Sequence, residues 1–217
     1  MLKIDAVKIR PDYEVESSLE ACTADDVYVE GKLFKDICIS SLEIPSLHLD
    51  GCQFQNVAFE DCNFDHVDMI DVVFENCEMS NVHFTMGAIH RCEFKNCRCM
   101  GIDFSDCLLN NVRMKDLKAR YANMSGSKFK QVIFDNCDFN DGSFIMCEYK
   151  KTIYDHCNLS KCEFHNTSLN GIDLSTSNIE GISLTMEHMK GVILNSEQAL
   201  QLIGLLGVVI KDEFDSE

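Results

Sequence analysis

The sequence predicts an all-β solenoid, in which the chain winds into a stack of short, similar coils. A large apolar residue recurs at every fifth position from about residue 22 to residue 194, with no insertion. Phenylalanine dominates this series, and Leu, Ile, Met or Tyr fill most of the gaps. The phenylalanines in the series are Phe34, Phe54, Phe59, Phe64, Phe74, Phe84, Phe94, Phe104, Phe129, Phe134, Phe139, Phe144 and Phe164.

A period of five fits neither a regular helix nor a straight strand. On a helix each fifth residue is turned by about 140°, so the apolar residues would not share one face. In a straight strand an odd spacing places successive residues on opposite faces. A chain that bends after each short extended segment can instead keep two residues of every five pointing inward. The other three residues of each unit then point outward.

The second inward residue lies two positions before the large one and is most often Cys or Val. Both inward series also recur at multiples of twenty, which predicts coils of twenty residues built from four five-residue units. The residues that show this longer period include Phe34, Phe54, Phe74, Phe94 and Phe134, and Cys77, Cys97, Cys137 and Cys157.

The five-residue units resemble those of the pentapeptide repeat family, whose pattern is A(D/N)LXX. Residues 62–66 (Cys-Asn-Phe-Asp-His) and 137–141 (Cys-Asp-Phe-Asn-Asp) show it, with Cys or Val often in place of Ala. The resemblance covers roughly residues 20–194 and implies a right-handed quadrilateral β-helix. We therefore expect residues 1–20 to form an N-terminal cap segment and residues 21–194 the β-helix. Residues 195–217 should form a C-terminal helix, a short strand and an acidic tail.

The cysteines and the absence of long apolar segments indicate a cytoplasmic protein with no membrane partner. The longest apolar run, residues 202–210, is too short to cross a bilayer, and charge interrupts the first residues, unlike a signal peptide. Of thirteen cysteines, eleven occupy the small inward position. Stacked neighbours such as Cys77 and Cys97 would have Cβ atoms about 4.8 Å apart, which is wider than a relaxed disulfide accepts. We expect reduced thiols that pack as small apolar groups.

The sequence contains no catalytic signature, and we expect no catalytic, cofactor or metal site. It has no GxGxxG, P-loop, GxSxG or HExxH motif. His90 with Cys92, Cys97 and Cys99 is the best metal candidate, but the spacing is that of the repeat itself. His90 falls at an outward position and the three cysteines at inward ones, so they do not converge on one ion.

The net charge of −17 directs attention to the outer surface. Such a charge argues against direct binding to nucleic acid or to an anionic membrane, and it favours a basic partner. Ten acids and no Lys or Arg lie between Asp36 and His90. The alternative is that the acids only keep the rod soluble. The predicted partner-binding acidic surface comprises Asp50, Glu60, Asp61, Asp65, Asp68, Asp71, Glu75 and Glu78.

The expected dimensions are compatible with mimicry of duplex DNA. Nearly nine coils at the strand spacing of about 4.8 Å give a rod about 40 Å long. Duplex DNA of that length carries about 25 phosphates. The net charge of this chain is within a factor of about two of that number.

After residue 194 the pattern changes to that of a helix. Ser196 is the expected N-cap, Gly207 the expected end, and residues 208–210 a short strand. Because an open solenoid end would polymerise, this segment should cover the last coil and join two subunits. The predicted capping and dimer residues are Ala199, Leu202, Ile203, Leu206, Val208, Val209 and Ile210.

Residues 191–210 also resemble the C-terminal segment of the quinolone-resistance (Qnr) proteins, particularly at Gln198-Ala199, Leu202 and Leu206-Gly207. The resemblance implies a tail-to-tail homodimer that binds the type II topoisomerases DNA gyrase and topoisomerase IV at their DNA-binding saddle. Gram-negative Qnr proteins carry loops that break the repeat, whereas here it is unbroken, as in MfpA-like and Gram-positive members. Inhibition of gyrase is therefore better supported than protection from fluoroquinolones.

A structural or adaptor rod that binds another protein partner is the alternative function. Outward apolar residues at multiples of twenty could form its contact surface, although such residues more often form ladders between stacked strands. One column comprises Leu33, Val73, Ile133, Ile153 and Ile193, and a second comprises Met86, Met146 and Met186.

Overall fold

The structure, a computed structural model, describes residues 3–23, 27–204 and 208. It confirms the predicted solenoid, which has about eight turns. All strand pairs are parallel and join residues twenty positions apart from Tyr28 onward, as in Phe34 with Phe54 and Phe54 with Phe74. The register of five predicted from the sequence is therefore the register of the folded chain.

Sixteen short strands and three helical segments make up the described chain. The helical segments are α1 (Leu19–Thr23), a 3-10 helix (Met186–Met189) and α2 (Ser196–Ile203). The strands are β1 (Glu14–Glu16), β2 (Tyr28–Glu30), β3 (Lys32–Lys35), β4 (Cys38–Ser40), β5 (His48–Asp50), β6 (Gln53–Gln55), β7 (Ala58–Glu60), β8 (Asp68–Ile70), β9 (Val73–Glu75), β10 (Ala88–His90), β11 (Glu93–Lys95), β12 (Leu108–Lys115), β13 (Lys128–Asp135), β14 (Glu148–Asp155), β15 (Glu163–Phe164) and β16 (Ser183–Leu184).

Each coil has four faces, which we call A, B, C and D in chain order. Face A is centred on inward positions 29, 49, 69, 89, 109, 129 and 149. Face B follows five residues later, on positions 34 to 194. Face C is centred on positions 39 to 179, and face D on positions 44 to 184. Faces A and C are opposite each other, as are B and D.

Stacked aromatic rings form much of the core. On face B the rings of Phe34, Phe54, Phe74 and Phe94 stack with centroids 4.8–4.9 Å apart. Phe144 and Phe164 stack in the same way on face D, at 5.0 Å. This spacing equals the rise per coil, so like residues at multiples of twenty meet face to face.

The small inward cysteines do more than pack as apolar groups, because their thiols also donate hydrogen bonds to backbone carbonyls. All thirteen cysteines are free thiols. Cys107 donates from its thiol to the Phe84 carbonyl at 2.9 Å, and Cys162 to that of Phe139 at 2.9 Å. Ser127 occupies an equivalent position and donates to the Phe104 carbonyl at 2.6 Å. Burial raises the pKa of Cys107 to about 12, so the thiol keeps its proton.

The N-terminal residues contribute to the solenoid in three ways. Strand β1 pairs with β3 and extends face B by one strand. Helix α1 follows, and its Leu19 is buried at this end of the core. Before β1, residues 3–10 lie along the corner between faces A and B, and we call them the N-terminal arm. The segment expected to be a cap thus contains an end cover and an arm on the side of the rod.

Helix α2 covers the last coil, but its N-cap is Asn195 and not Ser196 as the sequence suggested. Asn195 and Gln198 form a capping box, in which each side chain accepts from the backbone N–H of the other. The amide of Gln198 also donates to the carbonyls of Leu174 and Ser177, at 2.8 and 2.7 Å. With Asn195 as the N-cap, Gln198 takes the third helical position, from which its side chain reaches carbonyl groups of the last coil.

The predicted cap residues are only partly within the described chain. Leu202 is buried, Ala199 and Ile203 are half-buried, and Val208 is exposed. Leu206, Val209 and Ile210, with the expected helix end at Gly207, lie outside the described residues. A short helix near the C-terminus is confirmed, whereas its predicted roles in capping and in joining two subunits stay predictions.

Candidate partner-binding surface

The eight acids predicted to form one surface lie on all four faces. Asp50, Asp68 and Asp71 are on face A, and Glu75 is on face B. The others divide between face C, with Glu60, Asp61 and Glu78, and face D, with Asp65. Because a run of twenty residues passes once around the rod, consecutive acids form a belt around it and not a patch.

The carboxylates of face A are paired with cations or with histidine. Asp50 lies 3.8 Å from Arg10, which also binds Glu30 at 2.6 Å. Asp68 contacts the Nδ1 atom of His48 at 3.0 Å. Arg10 therefore offsets part of the negative charge of Glu30 and Asp50, and His48 occupies the carboxylate of Asp68.

Asp71 is not available to a partner, contrary to the sequence prediction. It is only 6% exposed, and its carboxylate binds Arg91 at 2.6 Å. Burial opposes its ionisation, but the hydrogen bonds from Arg91 and from the Lys8 backbone outweigh burial and lower the pKa of Asp71. The N-terminal arm covers it, and the sequence carries no signal for that contact.

Face D has a different charge pattern. Among the described residues its outward positions hold no Lys or Arg, and none of its carboxylates lies within ion-pair distance of a cation. Faces A, B and C each carry outward bases, such as Lys130, Lys115 and Lys118. The outward acids of face D are Glu43, Asp65, Asp103, Asp106 and Glu163.

Neutral neighbours orient two of the face D carboxylates. Asp65 accepts from the Thr85 hydroxyl and from the Asn63 amide, and burial opposes its ionisation. The hydrogen bonds prevail, so the pKa of Asp65 lies below its ordinary value. Asp103 accepts from the backbone of Ser105 at 2.8 Å. The donors to both carboxylates are neutral groups, which hold them in position on face D.

Exposed methionines line the corner between faces D and A. Met86, Met146 and Met186 are 52%, 60% and 37% exposed. Methionine side chains are flexible and polarisable, and they adapt to varied partner surfaces. The outward methionine column of the sequence therefore borders the face that has unpaired acids. Sorting the outward residues by position within the coil reveals both features, whereas reading them along the chain does not.

The second outward apolar column is largely occupied within the chain. Val73 points outward from face B but is only 6% exposed, and Leu33, Ile133 and Ile153 are half-buried. Ile133 lines a groove beneath the N-terminal arm. Of this column only Ile193 is largely accessible, with 48% of its surface exposed.

The described residues offer neither a metal site nor a membrane-spanning helix. Within 3–23, 27–204 and 208, no group of three or more His, Cys, Asp or Glu side chains is placed to hold a metal ion. Over the same ranges, the helices are too short and too polar to cross a membrane.

Comparison with known families and structures identifies the repeats. A family model described as "Pentapeptide repeat region" matches residues 46–123 and 67–140. A second, described as "Pentapeptide repeats (8 copies)", matches residues 151–181. No curated protein sequence matches this chain.

Two solved structures of trypsin-treated QnrB1 variants are similar in fold, and both are described as a plasmid-mediated fluoroquinolone resistance protein. The first is 17% identical over 82% of this chain and 100% of its own, with a TM-score of 0.54. The second is 20% identical over 85% of this chain and 99% of its own, with a TM-score of 0.50. Together with the twenty-residue coils, the two family models, which span more than half of the chain, show that it belongs to the pentapeptide repeat family.

Proposed function

We propose that this protein mimics duplex DNA and inhibits type II topoisomerases, DNA gyrase or topoisomerase IV, by binding their basic DNA-binding saddle. Face D carries the proposal, because its carboxylates meet no cation among the described residues. A cationic saddle would attract face D and be repelled by the lysines of face A.

The shape of the rod supports the same proposal. Ring centroids 4.8–4.9 Å apart set the rise per coil, and about eight coils give a body about 40 Å long. QnrB1, which has this fold, is described as a fluoroquinolone resistance protein. At 17–20% identity that likeness concerns fold, so the function assigned to this chain depends on its own charges.

An adaptor rod is the second candidate, and the exposed methionine corner favours it. Met86 and Met146 are more than half exposed beside face D, and they could seat an apolar partner. The two candidates differ in what weakens binding. An apolar contact resists salt, whereas a DNA mimic loses affinity as salt screens its charges.

A gyrase supercoiling assay with and without ciprofloxacin tests the proposal. The parent should inhibit supercoiling, and ciprofloxacin in the same assay separates inhibition from protection. A variant with Glu43→Lys, Asp106→Asn and Glu163→Lys should inhibit far less, because it removes the exposed charge of face D. The absence of inhibition by the parent at low salt would leave the adaptor rod as the better account.

We also propose that the C-terminal segment joins two subunits tail to tail. Leu202 is buried against the last coil, whereas Leu200 and Val208 are each 52% exposed. These two side chains are therefore accessible to a partner subunit. Light scattering should give twice the chain mass of 24.6 kDa. A variant with Leu200→Glu and Val208→Glu should be monomeric and still folded, and a monomeric parent would contradict the dimer.

A further inference from the structure

The N-terminal arm crosses the coils along the corner between faces A and B. The backbone N–H of Asp5 donates to Asn111 Oδ1 at 2.9 Å, and that of Lys8 to Asp71 Oδ1 at 3.0 Å. Asp71 and Asn111 are two coils apart, about 10 Å, which three extended residues span. The arm is therefore extended and runs from the coil of Asn111 toward the N-terminal end.

The corner is shaped for this segment. Gly31 and Gly51 occupy the same corner column, and a Cβ atom at either would come within 2.9 or 2.5 Å of the Arg10 guanidinium. Arg10 uses that space to bind Glu30 at 2.6 Å. Two glycines thus make room for a basic side chain, and a carboxylate completes its site.

Polar side chains in the groove are buried by the arm. Asp71 and Asn111 are 6% and 5% exposed, although both belong to an outward corner position. Each offers an oxygen to a backbone N–H of the arm, and Asp71 is held in place by Arg91. Recognition is therefore through the backbone and a basic side chain, and an extended peptide of another sequence can satisfy both.

The arm is held by side-chain contacts, unlike the strand that follows it. Strand β1 pairs with β3 along three residues. In the arm, two backbone N–H groups donate to Asn111 and Asp71, Asn111 donates to the Asp5 carboxylate, and Arg10 pairs with Glu30. A cavity of about 310 Å³ remains between the arm and the rod, lined in part by Ile4, Val7, Arg113 and Ile133. Residues 3–10 belong to no strand, so displacement of the arm breaks no pairing between coils.

We infer that this corner is a binding groove for an extended basic peptide, occupied in cis by residues 3–10. An extended Lys- or Arg-containing tail of a partner protein binds in the same place by displacing the arm. The groove lies on the corner between faces A and B, and neither of these two faces is face D. It is thus separate from face D, and the inference holds whether or not the protein binds a topoisomerase.

Binding of a synthetic peptide in trans tests the groove. A fluorescent peptide of residues 1–12 is titrated into the full-length protein and into a variant that lacks residues 1–10. The variant should bind it at least about tenfold more tightly, because the tethered arm competes in the parent. The same peptide with Arg10→Ala should bind weakly, because it keeps the backbone donors but loses the side chain that binds Glu30. Equal binding of both peptides, or no binding to the shortened variant, would overturn the inference.

Two glycine variants separate the groove from backbone strain. Gly51→Ala in the shortened protein places a methyl group where Arg10 lies, so it should weaken peptide binding several-fold. Gly171→Ala is the matched control, because Gly171 also has a positive φ but no atom near its Cβ position. If the shortened protein does not fold, full-length Arg10→Ala serves instead, and it should bind the peptide more tightly than the parent. Equal effects of the two glycine variants, or no gain from Arg10→Ala, would contradict the groove.

Discussion

Faces A and D have similar numbers of outward acids, but the side chains that surround these acids differ. On face A, Asp50, Asp68 and Asp71 lie beside Arg10, His48 and Arg91. On face D no carboxylate of the described residues lies within ion-pair distance of a cation, and Asp65, for example, accepts from the Thr85 hydroxyl. The comparison teaches that the number of acids alone does not set the charge of a face. Missing cations distinguish face D, the proposed partner surface, from face A.

The two faces also differ in what their charges do for stability. A buried ion pair whose partner is removed leaves a carboxylate without compensation, which is destabilising. An exposed acid with no cation contributes little to folding. Variants on the two faces should therefore separate stability from binding.

The largest expected effect concerns the core that both faces share. Phe104→Ala on face D should lower the free energy of unfolding by about 3–5 kcal/mol, because it leaves a cavity between Phe84 and the next coil. Glu163→Ala, on the outside of the same face, should change it by less than about 0.5 kcal/mol. Equal losses in urea titrations would contradict the inward register.

Removing a cation of face A should lower the free energy of unfolding by a smaller amount. Arg91→Ala leaves Asp71 with the Lys8 backbone as its remaining donor, and the free energy of unfolding should fall by about 2 kcal/mol. Lys130→Ala on the same face, which has no ion pair among the described residues, is the control. A denaturant titration in which both variants match the parent would show that face A charges are not paired in solution.

The smallest expected effect is the pH dependence of the stability that the Asp71 carboxylate contributes. Its pKa in the folded protein is lowered below 3.8, so its charge stabilises the fold at neutral pH. That contribution is lost as the pH falls below about 4, through the lowered pKa. The stability difference between the parent and Asp71→Asn should therefore narrow in acid. A difference that stays constant from about pH 7 to about pH 2.5 would contradict the pairing.

The fold could be read from the sequence because period five and coil length fix which residues point inward. Phe34, Phe54 and Phe74 stack as that period requires. The sequence also predicts a helix near the C-terminus, which is confirmed, but it places the N-cap one residue late. The bonds of Gln198 to the last coil decide the N-cap.

The candidate surface was harder to predict, since it depends on how distant segments meet. Asp65 was among the predicted acids, but Asp103, Asp106 and Glu163 were not, because they lie outside the acid-only stretch of the sequence. Arranging the chain by twenties places these residues on one face. The burial of Asp71 had no such signal, since it depends on an arm more than sixty residues away.

Direct binding to gyrase tests the central claim, that face D is the surface for a basic partner. Two variants with the same change in charge are compared with the parent: Glu43→Lys, Asp106→Asn and Glu163→Lys on face D, and Asp36→Asn, Glu75→Lys and Asp173→Lys on face B. The account predicts that only the face D variant loses affinity, by at least about tenfold, and that salt and duplex DNA weaken binding of the parent. Equal affinity of the two variants would contradict it.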